Sequence, residues 1–222
     1  METRNKVRFV VALITIVLIN GICFGFDDGD FQYWSSADAS FDIDKDWKIT
    51  FGEEFRLGNH GGNLYYHHSD VGFVYKSFAD WIDLGVNYRQ AFVKDSEDVW
   101  RELSGPHFNI TLKGQLFGCD VSNRGRIQYY NTENKRDFWL YRNKVTVKLP
   151  FEFTKFKIQP YLADEVFIFD KQGYDRNRLY SGASFKLSKN AKCSIFYLWQ
   201  SSESGGSWKD THVLGTSLTF RF

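Results

Sequence analysis

The chain has 222 residues, of which 18% are aromatic and 25% are charged. Its 28 Lys and Arg residues nearly balance its 27 Asp and Glu residues, so composition argues against nucleic acid as a partner. Three cysteines are too few and too far apart to form a disulfide framework, and the sequence therefore predicts free thiols. No spacing of ligands or glycines indicates a metal site or a cofactor.

The first segment, Met1–Gly25, has the three-part layout of a secretory signal peptide, with three basic residues before the uncharged run Phe9–Ile19 and small residues near its end. The apolar run is about half of the ~20 residues that a membrane-spanning helix needs. We therefore predict cleavage after Gly25, which leaves residues 26–222. Cys23 raises the alternative of a lipoprotein, but Ile22 stands where lipoprotein processing requires a small residue.

Cleavage also changes the charge balance. It would remove three of the 28 basic residues and one of the 27 acidic residues, which leaves 25 against 26 and a net charge near −1.

Segments of about ten residues with alternating apolar and polar side chains recur along the rest of the chain, which predicts an all-β protein. Many have the ~9–11 residues that a tilted transmembrane strand requires. The predicted strands are Phe31–Ile43, Trp47–Leu57, Tyr65–Lys76, Trp81–Val93, Phe108–Phe117, Arg124–Asn131, Phe138–Leu149, Phe156–Phe169, Asn177–Leu187, Lys192–Gln200 and Thr211–Phe222.

The predicted connections alternate in length along the chain. Asp44–Asp46 and Pro150–Lys155 are compact, whereas Lys94–His107 and Ser201–Asp210 are longer and polar. Short turns at one rim and long loops at the other are typical of an outer-membrane β-barrel.

The two faces of each strand can be assigned because a Lys or Arg facing lipid near the midplane costs about 2–4 kcal/mol. In Phe138–Leu149 one face carries Arg142, Lys144 and Lys148, and the other is aliphatic and aromatic. The basic face is therefore expected to point inward. The same rule leaves Glu53 as an exception on an apolar face.

Applied along the chain, this rule predicts an interior in which basic residues outnumber acids. The residues predicted to line it are Glu54, Arg56, His68, Asp70, Arg89, Arg126, Arg142, Lys144, Glu165 and Arg178, with Glu165 assigned less clearly than the others.

The C-terminal strand ends in Phe220 and Phe222, which resembles the signal by which outer-membrane barrels are delivered to the barrel-assembly machinery. Eleven strands can be counted, but single-chain bacterial outer-membrane barrels have an even number. We therefore expect an up-and-down barrel of about twelve strands, with ten as the fallback.

The chain also resembles an uncharacterised bacterial domain-of-unknown-function family whose members are regarded as outer-membrane β-barrels. The resemblance implies a barrel in the outer membrane of a Gram-negative bacterium, and it carries no established activity or site. It rests on Asp30-Phe31-Gln32-Tyr33-Trp34, Arg124-Gly125-Arg126, Tyr141-Arg142-Asn143-Lys144, Pro160-Tyr161-Leu162-Ala163-Asp164-Glu165 and the stretch Arg176–Tyr180.

Three functions remain open. The first is a narrow, porin-like passage for small polar or anionic solutes, since rings of Arg and Lys select against cations. The second is a closed barrel with a structural or assembly role, filled by paired charges. The third is a lipid-active enzyme that uses His67 and Ser69, which share a strand face. All three predict outer-membrane lipid, lipopolysaccharide and the assembly machinery as partners.

Overall fold

The computed structural model describes residues 28–95, 97–133 and 136–222, and these form one closed β-barrel. The predicted all-β fold and the barrel are confirmed, whereas the predicted signal peptide lies outside the described residues. No helix in these three ranges has the length and apolarity needed to cross a membrane. The eleven strands are β1 (Asp30–Asp42), β2 (Trp47–Gly58), β3 (Asn63–Ala79), β4 (Ile82–Lys94), β5 (Trp100–Leu116), β6 (Cys119–Thr132), β7 (Phe138–Lys148), β8 (Gln159–Phe169), β9 (Gly173–Lys186), β10 (Ala191–Ser204) and β11 (Ser207–Arg221).

The barrel closes through a parallel pair. β1 runs beside β11 from Asp30 opposite Thr211 to Ser40 opposite Arg221, and every other neighbouring pair is antiparallel. Closure by antiparallel pairs alone requires an even number of strands, but one parallel pair permits an odd number. The expectation of twelve or ten strands was therefore wrong. Because β1 and β11 run in the same direction, Asp30 at the start of β1 and Phe222 after the end of β11 lie at opposite rims.

The connections do not alternate between short and long as predicted. The segment 149–158, expected to be compact, is the longest connection in the described residues and contains an isolated bridge between Phe153 and Ile158. The supposed loops Lys94–His107 and Ser201–Asp210 are largely strand, because β5 begins at Trp100 and only residues 205–206 separate β10 from β11. Polar composition misled the prediction because these strands extend to the rim, where polar side chains are tolerated on both faces.

Asp95 shapes one of these turns. Its carboxylate accepts hydrogen bonds from Arg101 Nε at 2.8 Å and from the backbone N–H groups of Glu97 and Val99 at 2.9 and 3.0 Å. The Arg101 bond, followed by the Val99 bond, lowers the pKa of Asp95. The side chain thus satisfies backbone donors that the turn leaves without strand partners.

The outer surface of the barrel is apolar. On β2, Ile49, Phe51 and Phe55 alternate with inward polar side chains, and the outward phenylalanines are 45% and 43% exposed. Aromatic pairs lie toward both rims, such as Trp47 with Tyr75 at the rim that carries Phe222. Tyr129 with Trp139 lies at the opposite rim. The outer surface is thus an apolar belt with aromatic residues at both ends.

Carboxylates such as Glu53 and Asp164 interrupt the apolar belt. Glu53 lies outward, as the alternation predicted, with Ala37 and Ser69 as its cross-strand neighbours. Asp164 also lies outward and accepts a hydrogen bond from Asn177 Nδ2 at 2.7 Å. Glu53 therefore has small cross-strand neighbours, whereas Asp164 lies between Val145 and Leu179 and depends on Asn177 for a polar contact.

The register of the β1–β11 pair can be tested by cross-linking. With Cys119 and Cys193 changed to Ser, we expect Ala37→Cys and Leu218→Cys, which are direct partners across the pair, to form a disulfide on mild oxidation. The matched control pairs Ala37→Cys with Leu214→Cys, four residues further along the strand and about 13 Å away. Gel mobility after oxidation reports the bond, and equal cross-linking of both pairs would contradict the register.

Candidate functional site

The described interior of the barrel contains several cavities, of which two larger ones follow each other along the barrel. The first, of about 370 Å³, lies toward the Phe222 rim and is named here the Asp38 cavity. The second, of about 480 Å³, lies toward the Asp30 rim and is named the Gln32 cavity. All ten residues that the sequence predicted to face the interior line the Asp38 cavity, although their role in binding or selectivity stays a prediction.

Glu165 is the centre of the charged interior. Its side chain is 1% exposed, and its Oε1 atom accepts hydrogen bonds from Arg142 Nη2 at 2.8 Å and from Arg124 Nη2 at 3.0 Å. Its Oε2 atom accepts the Tyr180 hydroxyl at 2.9 Å and lies 3.8 Å from Arg178 Nη1. A carboxylate in this position joins basic side chains from β6, β7 and β9.

Four guanidinium groups line both cavities and therefore separate them, and we call Arg56, Arg89, Arg142 and Arg178 the arginine layer. Aromatic rings hold parts of this layer in place. Arg56 lies 3.9 Å from the centre of the Trp34 ring and 4.2 Å from that of Tyr66. The Arg178 guanidinium lies 4.7 Å from the centre of the same Trp34 ring. Stacked guanidinium and aromatic groups thus extend across the interior.

Phe167 continues this arrangement toward β7. Its ring centre lies 4.5 Å from the Arg178 guanidinium and 4.7 Å from that of Arg142. The boundary between the cavities consequently consists of side chains.

A second network centres on Asp70. Its carboxylate accepts hydrogen bonds from Arg89 Nε at 3.0 Å and from Asn87 Nδ2 at 2.9 Å, and it lies 2.8 Å from His107 Nε2. His68 shares a strand face with Asp70 but lies 3.9 Å from Glu54. The two side chains have different partners because of the strand register, which places His68 opposite Glu54 on β2 and Asp70 opposite Arg89 on β4.

Several functional candidates were missed from the sequence. His107 was assigned to a loop because the predicted strand began at Phe108, yet β5 begins at Trp100. Continuing the alternation by one step toward the N-terminus would have placed His107 inward. Arg124 shares the inward face of Arg126 and could have been found in the same way. Asp38 and Tyr180 gave no comparable signal, because their importance depends on what lies across the interior.

Basic groups remain in excess where β6 meets β7. Arg124 is paired directly with Lys144, and Arg126 with Arg142, so two like-charged pairs stand side by side. Like charges in such positions destabilise a sheet. Within the described residues neither Arg126 nor Lys144 has a carboxylate within 4 Å; Arg126 donates to Asn109, and Lys144 lies 3.6 Å from the centre of the Tyr180 ring. This cluster can attract an anionic group.

The His67 and Ser69 pair lies on the outer face of β3. The His67 ring stacks on Phe92, with ring centres 4.9 Å apart, and on Phe55 at 6.1 Å. In the described part of the chain no hydrogen bond joins His67 to Ser69. Hydrolysis would therefore require the imidazole to leave its aromatic neighbours and approach the hydroxyl.

Metal ligands are not grouped in the described ranges, where no set of three or more His, Cys, Asp and Glu side chains is placed to hold an ion. Cys119 and Cys193 are free thiols.

The role of Glu165 can be tested by a substitution that keeps the shape of the side chain and removes its charge. We expect Glu165→Gln to lower the free energy of unfolding by about 3–5 kcal/mol, because it leaves buried arginines without their counter-charge. The matched control is Asp164→Asn on the opposite face of the same strand, which should cost less than about 1 kcal/mol. Urea unfolding of the purified barrel measures both, and equal midpoints would refute the role of this carboxylate.

Comparisons with known proteins identify the family. Neither the comparison with curated proteins nor the comparison with solved structures yields a match. A family model described as "Protein of unknown function (DUF2490)" matches residues 31–211, which include all ten predicted interior residues. This range covers most of the chain and nearly the whole barrel, and it agrees with the resemblance found in the sequence. The chain therefore belongs to the DUF2490 family.

Proposed function

We propose that the protein is an outer-membrane β-barrel whose interior forms a narrow passage for small polar or anionic solutes. The apolar belt supports the membrane location, since a barrel in water has no need to expose an aromatic and aliphatic surface on strand after strand. On β2, Trp47 and Phe55 are eight residues apart, which corresponds to about 26 Å along the strand. With a strand tilt of 35–45°, this gives a height of about 20 Å, compared with the apolar band of about 25 Å that is typical of outer-membrane barrels.

The observation that carries the passage is that both cavities are lined by the same four arginines. Among the described residues the two linings share only these four arginines, so solutes would have to displace side chains there. The arginine layer would then be the constriction. Side-chain rotations are fast and small compared with movements of a strand or loop.

The charge of the interior supports a preference for anions. Seven Arg or Lys side chains line the Asp38 cavity, against the four inward carboxylates of Asp38, Glu54, Asp70 and Glu165. An excess of fixed positive charge in a narrow path favours anions and repels cations.

A closed barrel is the second candidate, and the stacking of the arginine layer favours it. Arg56 is held by Glu54 as well as by two rings, with an Nε to Oε1 distance of 2.6 Å. Arg142 and Arg89 are held by Glu165 and Asp70. If these contacts persist, the layer seals the interior, and the barrel serves as a structural or assembly component.

Contact of the outer belt with lipid predicts a depth-dependent penalty for charge. Val86, which is 59% exposed and lies between Phe73 and Phe108 on the outer face, is the test position. We expect Val86→Lys to make folding into lipid vesicles less favourable by about 2–4 kcal/mol. The control is Phe117→Lys in the 117–118 turn, with an expected cost of about 0–1 kcal/mol.

If both lysine variants fold equally well into vesicles, the outer belt does not face lipid. Folding of the parent chain in buffer without detergent or lipid would count against the membrane location as well.

The constriction is tested by conductance. The refolded barrel in a planar bilayer should give discrete current steps and an anion-selective reversal potential across a salt gradient. Arg142→Glu should reduce or invert this selectivity, because it replaces a positive group of the arginine layer. The matched control is Arg176→Glu, which makes the same change in a residue that lines the Gln32 cavity alone and should shift the potential less.

A silent bilayer that contains inserted protein would favour the closed barrel. Equal shifts in the two glutamate variants would show that the arginine layer is not the selective element.

A further inference from the structure

Among the described side chains that point into the Asp38 cavity, one acid lacks a basic partner and two bases lack an acidic partner, and the acid lies on the wall opposite the bases. We propose that the cavity is a binding site for a small zwitterion, in which an ammonium group meets Asp38 and a carboxylate or phosphate group meets Lys144 and Arg126. The inference rests on the proposed function only for the route by which the solute arrives. Binding itself does not depend on conductance.

Asp38 is the acidic pole of the cavity. Among the described residues it makes no hydrogen bond and has no cation within 4 Å, although it lines a cavity with many arginines. The other acids of that wall are already neutralised, Glu54 by Arg56 at 2.5 Å and Asp70 by Arg89 at 2.9 Å. Asp38 is therefore the carboxylate that remains available to a cationic group.

The basic pole lies on β6 and β7. Lys144 and Arg126 lack an acidic partner within 4 Å in the described chain, and the Nε atom of Arg124 is buried without a hydrogen-bond acceptor. Of these three bases, only Arg124 contacts a carboxylate in the described chain, and that carboxylate, Glu165, is shared with Arg142 and Arg178. An anionic group between these side chains would supply the missing counter-charge and an acceptor for the open N–H donors.

The two poles face each other across the barrel. In the closed strand order, β7 lies five places from β1 in one direction and six in the other, which puts Asp38 and Lys144 on opposite walls. Between them the wall carries the hydroxyl groups of Ser36, Ser194 and Ser217. A volume of about 370 Å³ is at the lower end of the range for small-molecule pockets, so a compact ligand fits it best.

The charges of the two poles select between ligand classes. A simple anion would satisfy the basic pole and leave Asp38 unpaired, and a simple amine would be repelled by the basic majority. A molecule with a cationic group at one end and an anionic group at the other pairs with both poles at the same time. Hydrogen bonds between charged partners are the strong ones, and therefore both ends should contribute to affinity.

Three ligands with the same chain length separate these classes. Butyrate carries the anionic group alone, n-butylamine carries the ammonium group alone, and γ-aminobutyrate carries both. Isothermal titration calorimetry on the barrel in detergent micelles should show γ-aminobutyrate binding about tenfold or more tightly than either of the others. Equal affinities for γ-aminobutyrate and butyrate would reduce the site to an anion site and overturn the proposal, as would the absence of binding by all three ligands.

Substitutions test which residue binds the ammonium end of the ligand and which binds the carboxylate end. Asp38→Asn should bring γ-aminobutyrate down to the affinity of butyrate and leave butyrate unchanged, while Lys144→Met should weaken both. The control Asp83→Asn changes an inward acid that lies outside the Asp38 cavity and is paired with Lys113, and it should change neither. Heat-modifiable migration on gels checks that each variant is folded, and retention of the full preference in a folded Asp38→Asn barrel would also refute the site.

The two proposals fail separately in these experiments. Zwitterion binding in micelles together with a silent bilayer keeps the site and rejects the passage. Anion-selective current without a preference for γ-aminobutyrate keeps the passage and rejects the site.

Discussion

The interior of this barrel depends on the burial of a single carboxylate among arginines. Glu165 is almost inaccessible, yet it reaches guanidinium groups from β6, β7 and β9 and a tyrosine hydroxyl. Buried charges are tolerable only when they are paired and hydrogen-bonded, so this group fixes where the surrounding arginines lie. Its charge does not neutralise them all. The remaining excess makes the interior suited to an anionic group.

The aromatic rings solve a different problem. A guanidinium group far from water needs partners on its faces as well as on its edges, and Trp34 and Phe167 supply these faces. The edges remain available to Glu54, Glu165 and Gln200. The same contacts that stabilise the arginine layer would also narrow the proposed passage, so the proposed pore and the closed barrel would differ in the positions of these described side chains.

The odd number of strands has a structural cause and a consequence. A parallel β1–β11 pair closes the sheet, so the first and last strands point the same way. The start of β1 and the end of β11 consequently lie at opposite rims. The shift from an expected twelve strands to eleven leaves the inward and outward faces unchanged, because each face is set by alternation along its own strand. The interior could therefore be predicted even though the strand count was wrong.

The sequence by itself determined the fold class and the face on which each strand side chain lies. Period-two alternation and the cost of exposing Arg or Lys to lipid are local properties, readable strand by strand, and they placed Arg142, Lys144 and Arg178 inward. The tertiary structure alone decided the parallel closure, the sharing of Glu165 and the opposition of Asp38 to Lys144. Each of these depends on strands that are distant in sequence, and their relative position follows from the register around a closed sheet rather than from any one segment.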